Sequence, residues 1–145
     1  MRIFLDTNIL LDVFLKREGQ VASAEVITAC GEAWNQGFVA VHTLSNAFYL
    51  IEKLRTRADA WEFIRDVLTW ASVAEIFTRD VSRTQTMGMN DFEDALQIVA
   101  AERCGADVII TRNVKDFAGK TSVQVMLPES FTPPPPPGEI SVVKP

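Results

Sequence analysis

The sequence predicts an α/β fold: a three-layer α/β/α sandwich in which helices cover both faces of a parallel sheet of four to five strands. Short apolar segments alternate with stretches whose apolar residues recur at helical spacing, which is typical of parallel α/β folds. The apolar residues of the short segments are continuous, as expected for strands buried on both faces. The length of 145 residues and the 48% hydrophobic content are enough for one core.

Five apolar segments are predicted to be strands. An aspartate follows the first of them directly, and a polar loop follows the fourth. Right-handed crossovers between parallel strands bring every carboxyl end to the same edge of the sheet. The segments cover residues 2–5, 38–41, 73–77, 107–110 and 122–126.

Helical spacing of apolar residues predicts the elements between these strands. The second helix is expected to end near Gly37 and the last long one at Gly105. The tryptophans Trp34, Trp61 and Trp70 fit apolar stripes that face the core, and Phe92 opens such a stripe on the last helix. The predicted helices cover residues 8–15, 21–35, 43–54, 58–70 and 90–104, with a short helix or turn over 80–87.

Composition and charge indicate a cytoplasmic protein of one domain. The net charge of −5 provides no general attraction to nucleic acid, so any such contact requires a local basic patch. Cys30 and Cys104 lack metal-binding spacing and are expected to be buried thiols in a reducing compartment. No apolar stretch is long enough to span a membrane, and the acidic start does not resemble a signal peptide.

The predicted domain covers residues 1–131, and residues 132–145 are expected to form a proline-rich tail. The tail begins with a stiff polyproline segment at residues 133–137 and continues through residues 140–145. We expect it to lie outside the core.

Three polar clusters follow strand ends or open a helix, and a parallel sheet would bring them to one edge. Asp6 and Asn8 follow the first strand. The acids of residues 90–94 open the last long helix, and residues 111–116 follow the fourth strand. Carboxylate oxygens without histidine or cysteine favour Mg²⁺ or Mn²⁺ over zinc.

Each cluster also has a purely structural interpretation. Asp6 can cap the first helix, a role that Asn8 could share, and either Asn90 with Glu93 or Asp91 with Asp94 has the spacing of a capping box. Asn113 or Asp116 can cap a turn. The helical spacing predicts that Asp91 and Asp94 share a face and that Glu93 points elsewhere.

Residues 3–12, 91–96 and 109–117 together resemble the PIN domain, in the order and spacing of that family over about residues 1–131. The resemblance implies a Mg²⁺- or Mn²⁺-dependent ribonuclease. Small stand-alone bacterial members are typically VapC-type toxins that pair with an antitoxin. The resemblance therefore implies RNA as substrate and an antitoxin as partner.

By this resemblance, Asp6 and Asp94 are the metal-binding acids, Asn113 is at the fourth family position, and Asp116 is one turn further on. The glutamate that the family usually carries in its third helix is Asn46 here. An amide brings no negative charge, so metal affinity should fall unless another acid compensates. Asp91 is the nearest candidate.

Substrate contacts are expected from the strand-end loops and from the local cations. The residues assigned to them are Asn8, Thr111, Arg112 and Lys115. The apolar helices at residues 43–70 suggest a homodimer. The alternative function is an inactive PIN-like binding or scaffolding module, which Asn46 favours and the pair Asp6 and Asp94 opposes.

Overall fold

The computed structural model describes residues 1–138 and confirms the predicted α/β architecture. The five strands pair in parallel in the order β3-β2-β1-β4-β5, so β1 is central. The strands are β1 (Arg2–Leu5), β2 (Gln36–Ala40), β3 (Ala71–Ala74), β4 (Val108–Ile110) and β5 (Gln124–Met126).

Helices cover both faces of this sheet. Ile3 and Leu5 point to the layer of α1 to α4, and Phe4 points to the layer of α5 to α7. The helices of residues 1–138 are α1 (Thr7–Phe14), α2 (Gln20–Cys30), α3 (Val41–Leu54), α4 (Arg57–Trp70), α5 (Thr78–Arg83), α6 (Phe92–Arg103) and α7 (Val114–Phe117). Within the described part of the chain, none of them has the length and apolarity to cross a bilayer.

The second helix ends earlier than the sequence predicted. α2 stops at Cys30 because the chain turns back, and the Asn35 side chain donates to the carbonyl of Ala29 at 2.9 Å. Gly37 lies inside β2 instead of ending the helix. A Cβ atom at Gly37 would lie 2.8 Å from the Cβ of Cys30, so only glycine permits this close approach of strand and helix.

The third strand begins and ends earlier than predicted. β3 covers Ala71–Ala74 because it pairs in register with β2, from Gly37 opposite Ala71 to Ala40 opposite Ala74. Phe77 is outside the sheet, and its backbone N–H donates to Asp80 Oδ2 at 2.8 Å at the start of α5. β3 therefore contains only the residues that pair with β2.

Two large aromatic residues were wrongly assigned to the core. Trp61 is 53% exposed and Phe92 is 60% exposed. On α4 the inward position belongs to Phe63, which is 2% exposed and packs edge to face against Phe14 with ring centroids 5.4 Å apart. Loss of such a buried ring typically costs about 3–5 kcal/mol.

The thiols and the tail also differ in part from expectation. Cys30 is buried but Cys104 is only half-buried. The beginning of the predicted tail contacts the domain, because Trp34 Nε1 donates to the carbonyl of Pro134 at 3.2 Å. Residues 140–145 of the predicted tail lie outside the described residues, so the proposed boundary at residue 132 stays a prediction.

Candidate active site

The candidate site lies where the strand order reverses, at the carboxyl ends of the neighbouring strands β1 and β4. From β1 the chain proceeds to β2 and β3 on one side, and β4 and β5 lie on the other. Open α/β sheets bind ligands at such a crevice. Asp6 follows β1 and Thr111 follows β4, so both side chains belong to this edge.

Asp6 is buried and both of its carboxylate oxygens are held. The residue is 5% exposed. Oδ1 accepts from the backbone N–H of Thr7 at 2.7 Å and from Gln97 Nε2 at 3.0 Å, while Oδ2 accepts from Thr111 Oγ1 at 2.7 Å. Asp6 is therefore the cap of α1, as the structural interpretation predicted, and it is also the anchor of a buried polar network.

Burial raises the pKa of Asp6, because a desolvated carboxylate is less stable in its charged form. The hydrogen bonds from Thr111 and Thr7 oppose this effect, and the negative charges of Glu93 and Asp91 add to it. The site thus holds a carboxylate whose charge the protein itself does not neutralise.

Asp94 lies in the first turn of α6, half-buried, and Asn113 Nδ2 donates to its Oδ2 at 3.3 Å. Its pKa is raised to about 6, first by burial and then by the charges of Asp91, Asp6, Glu93 and Asp116. Five carboxylates are therefore coupled electrostatically at this edge of the sheet. The structure brings together the predicted residues Asp6, Asp94, Asn113, Asp91 and Asp116.

Asp91 has the structural role that the capping interpretation gave it. Its Oδ1 accepts from the backbone N–H of Asp94 at 2.9 Å, and the residue is exposed. Its assignment as a metal ligand stays a prediction.

The helical spacing predicted that Glu93 points away from the other acids, but the structure shows that it points towards them. Its Oε1 lies 3.5 Å from Thr7 Oγ1, and its charge raises the pKa of both Asp6 and Asp94. The prediction was wrong because Phe92 is exposed, so α6 is rotated relative to the predicted apolar stripe. This rotation turns Glu93 and Gln97, one turn apart, towards α1.

Gln97 and Thr43 are site residues that the sequence patterns did not reveal. Gln97 is fully buried, and its Nε2 also contacts the hydroxyls of Thr7 and Thr43. The available signal was a glutamine inside the otherwise apolar run at residues 95–101, because a buried amide needs hydrogen-bond partners.

The loop after β4 differs from its predicted role. Thr111 is fully buried, so the prediction that it contacts substrate is wrong; its hydroxyl holds Asp6. The guanidinium of Arg112 is engaged by Asp12 at 2.6 Å and by Glu129 at 2.8 Å instead of facing the acids. Arg112 thus forms an ion pair that anchors the loop, and its assignment to substrate contact stays a prediction.

Two other predicted residues are exposed at the surface of their helices. Asn8 Oδ1 accepts from Arg17 Nη1 at 3.3 Å. Asn46 lies on α3 one turn after Thr43. Within residues 1–138 its side chain has no hydrogen-bond partner. Their assignments to substrate contact and to the metal site stay predictions.

A cavity of about 290 Å³ opens beside Asp94 and is lined by two lysine side chains. Lys115, a predicted substrate contact, is one of them, and Lys120, which no sequence pattern indicated, is the other. Lys120 Nζ donates to the carbonyl of Gly88 at 3.2 Å. The cavity is lined by Gly88, Met89, Asn90, Asp91, Asp94, Lys115, Asp116 and Lys120.

The donor atoms of the site fit a hard divalent cation. Asp6 and Asp94 offer carboxylate oxygens, and their pKa values are raised first by burial and then by the negative charge of neighbouring acids. Within residues 1–138, no three acidic, histidine or cysteine side chains are grouped closely enough to form a complete metal site. A small number of carboxylates completed by water suits a hard divalent cation such as Mg²⁺ or Mn²⁺.

Comparison with known families and structures gives one family and one fold. Residues 2–115 match the family described as PIN domain. No curated protein matches the chain. The matching solved structures described below are less than 25% identical to this chain, so their similarity shows the fold alone.

Three of these structures illustrate the similarity. VapBC-1 from nontypeable Haemophilus influenzae is 18% identical with a TM-score of 0.69, covering 89% of this chain and 99% of that chain. A toxin-antitoxin complex from Klebsiella pneumoniae is 24% identical with a TM-score of 0.63, covering 87% and 97%. The sarcin-ricin loop cleaving toxin VapC20 of Mycobacterium tuberculosis is 14% identical with a TM-score of 0.59, covering 74% and 86%.

The pKa of Asp94 predicts that mild acid stabilises the metal-free protein. Folding raises this pKa from 3.8 to about 6, so the folded state binds a proton more tightly than the unfolded chain. The raised pKa of Asp6 acts in the same direction. The free energy of unfolding, measured by urea denaturation in a chelator, should therefore rise as the pH falls from about 7 to about 5.

Asp94→Asn removes the titrating group, so this variant should be more stable than the wild type at neutral pH. Its free energy of unfolding should also rise less than that of the wild type as the pH falls. Asp66→Asn, at an exposed position on α4, is the matched control and should follow the wild type. A wild-type stability that stays level or falls over this pH range would contradict the assigned pKa.

Proposed function

Because this chain belongs to the PIN-domain family, we propose that it is a Mg²⁺- or Mn²⁺-dependent endoribonuclease that hydrolyses phosphodiester bonds of RNA. The observation that carries this proposal is the placement of Asp6 and Asp94 at the crevice between β1 and β4, where Asp6 is buried and Asn113 of the loop after β4 donates to Asp94. Burying carboxylates next to one another is unfavourable without a cation. A bound metal ion would supply this cation, which supports the proposal.

Asp6 and Asp94 would hold the ion. A bound Mg²⁺ or Mn²⁺ would supply Lewis-acid chemistry that activates water and offsets charge on the phosphate. Thr111 and Gln97 hold the carboxylate of Asp6, and Asn113 donates to Asp94. The chain therefore fixes the orientation of both acids before substrate arrives.

Glu93 supports activity in spite of Asn46. It is closer to the buried network than the exposed cap Asp91, and its charge reaches both Asp6 and Asp94. In this proposal α6 provides the negative charge that the family usually takes from its third helix, and Asp91 and Asp116 add to the field around Asp94.

Lys115 and Lys120 would bind the phosphates that flank the cleaved bond. Both line the cavity beside Asp94, in a protein whose net charge is −5. The local cations thus provide the attraction to RNA that the overall charge does not.

The runner-up function is a PIN-like binding or scaffolding module without activity. Asn46 favours it, because an amide at this position removes one acidic ligand from the usual family set. The two functions differ in whether Asp6 is needed for RNA cleavage.

A nuclease assay with acid-to-amide variants tests the proposed activity. The wild type should cleave a mixed RNA pool with Mn²⁺ and lose cleavage in a chelator. Asp6→Asn and Asp94→Asn should each lower the rate by at least about 100-fold, since each variant removes a carboxylate that holds the ion. Asp66→Asn is the control of equal charge change and should retain wild-type activity. Cleavage that is absent, independent of metal or unaffected by Asp6→Asn would support the scaffolding function.

Substitution of the two lysines tests their binding to RNA. In the Asp6→Asn background, which keeps the RNA intact, Lys115→Ala and Lys120→Ala should each weaken RNA binding measured by fluorescence anisotropy. The slope of log K against log salt should become shallower by about 0.7 for each phosphate that the protein no longer neutralises. Lys53→Ala, in the last turn of α3, should leave the slope unchanged. Equal slopes for all three lysine variants would contradict the assigned phosphate binding.

We further propose that the chain forms a homodimer and pairs with an antitoxin in the cytoplasm. The structures from Haemophilus influenzae and Klebsiella pneumoniae are toxin-antitoxin assemblies, which supports a protein partner. The α3–α4 hairpin has an exposed apolar surface formed by Tyr49, Leu54, Trp61 and Leu68.

Light scattering should give the mass of a dimer for the wild type and the mass of a monomer for Trp61→Glu. A wild type that stays monomeric at all concentrations would exclude the dimer.

A further inference from the structure

Gln97 lies in a part of α6 where a polar side chain is unfavourable. The residue is fully buried, and Ile98, Val99 and Ala100 beside it are buried too. A buried amide without hydrogen bonds costs free energy, and an apolar residue would fill the space at no such cost. The contacts of the amide therefore indicate why glutamine is present.

The amide nitrogen of Gln97 lies among three oxygen atoms. Nε2 is 3.0 Å from Asp6 Oδ1, 3.1 Å from Thr7 Oγ1 and 3.0 Å from Thr43 Oγ1. An ionised carboxylate can only accept hydrogen bonds, so Nε2 and not Oε1 must face Asp6. The orientation of the amide thus follows from the chemistry of Asp6.

The other end of this amide shows the cost of that orientation. Gln97 Oε1 is buried and has no hydrogen-bond partner among residues 1–138. An unpartnered buried acceptor costs about 1–3 kcal/mol. The side chain is therefore placed to donate to the network of Asp6 and not to satisfy its own hydrogen-bonding groups.

The donors around Asp6 leave one acceptor position open. A carboxylate has about four acceptor positions, two on each oxygen. Within residues 1–138, Thr7 and Gln97 occupy Oδ1, whereas only Thr111 occupies Oδ2. The contact with Gln97 therefore directs the remaining acceptor capacity of Asp6 to Oδ2.

We propose that Gln97 is a positioning residue: its side-chain amide fixes Asp6 so that a divalent cation is bound through Oδ2, and it ties this acid to the helix that carries Asp94. The inference rests on the proposed function, since it assigns Gln97 to the same metal site. Asp94 lies three residues before Gln97 on α6. One amide thus links the two acids that would share the ion.

Gln97→Met tests this role, because methionine fills a similar volume and keeps helix propensity while the amide is removed. Isothermal titration of the metal-free protein with Mn²⁺ should show affinity reduced by about 10- to 100-fold, the usual effect of losing a residue that orients a metal ligand. Wild-type affinity in folded Gln97→Met would overturn the inference.

Asn35→Ala is the matched control, since Asn35 is a second buried amide whose Nδ2 donates to the carbonyl of Ala29, outside the site. Urea denaturation should show a loss of stability in this variant while its Mn²⁺ affinity stays at the wild-type value. An equal loss of affinity in both variants would mean that Gln97 acts only through general stability, and would also overturn the inference.

A measurement without metal separates this inference from the proposed function and applies even if Gln97→Met does not fold. In ¹⁵N-labelled protein, the Gln97 side-chain amide signals should be protected from exchange and should shift in Asp6→Asn but not in Asp66→Asn. Unshifted signals in Asp6→Asn would contradict the contact. The Gln97 signals could shift in Asp6→Asn while the wild type binds no Mn²⁺. This result would refute the metal-dependent nuclease and leave the contact between Gln97 and Asp6 in place.

Discussion

The burial of the Asp6 carboxylate is the constraint on which the rest of the site depends. β1 is the central strand, its residues Ile3 to Leu5 are fully buried, and Asp6 follows without an intervening loop. Removing a carboxylate from water costs several kcal/mol unless hydrogen bonds offset the lost solvation. The identities of Thr111 and Gln97 follow from this requirement, because their side chains donate to Asp6, and the backbone N–H of Thr7 adds a third hydrogen bond.

These donors come from separate elements, so the acid also determines how the elements meet. Thr7 begins α1, Thr111 directly follows β4, and Gln97 lies in the middle of α6. The ion pair between Arg112 and Asp12 anchors the loop between Thr111 and Asn113 from the opposite side. The ion pair between Arg112 and Asp12 lies outside the site, and it stabilises the loop whose residues Thr111 and Asn113 donate to Asp6 and Asp94.

The negative charge at this edge of the sheet exceeds what the protein balances. Five coupled carboxylates lie at this edge, where Lys115 and Lys120 line the cavity beside Asp94, and the pKa values of Asp6 and Asp94 are raised by burial and then by neighbouring negative charge. Such unbalanced charge lowers the stability of the metal-free fold at neutral pH. Sites that bind ligands commonly sacrifice stability in this way, because the ligand and not the protein supplies the compensating charge.

The sequence by itself determined the order of strands and helices and the position of Asp6 and Asp94 at strand and helix ends. Continuous apolar segments and helical spacing are local patterns, and near neighbours in the chain are enough to produce them. Only the tertiary structure decided which side of each helix is buried. Phe92 and Trp61 are exposed, Glu93 and Gln97 turn inward, and Arg112 pairs with Asp12. The rotation of a helix depends on the elements packed against it, and these lie far away in the sequence. A local pattern such as the glutamine inside the apolar run at residues 95–101 can indicate that a polar side chain is buried, but it cannot specify which groups that side chain contacts.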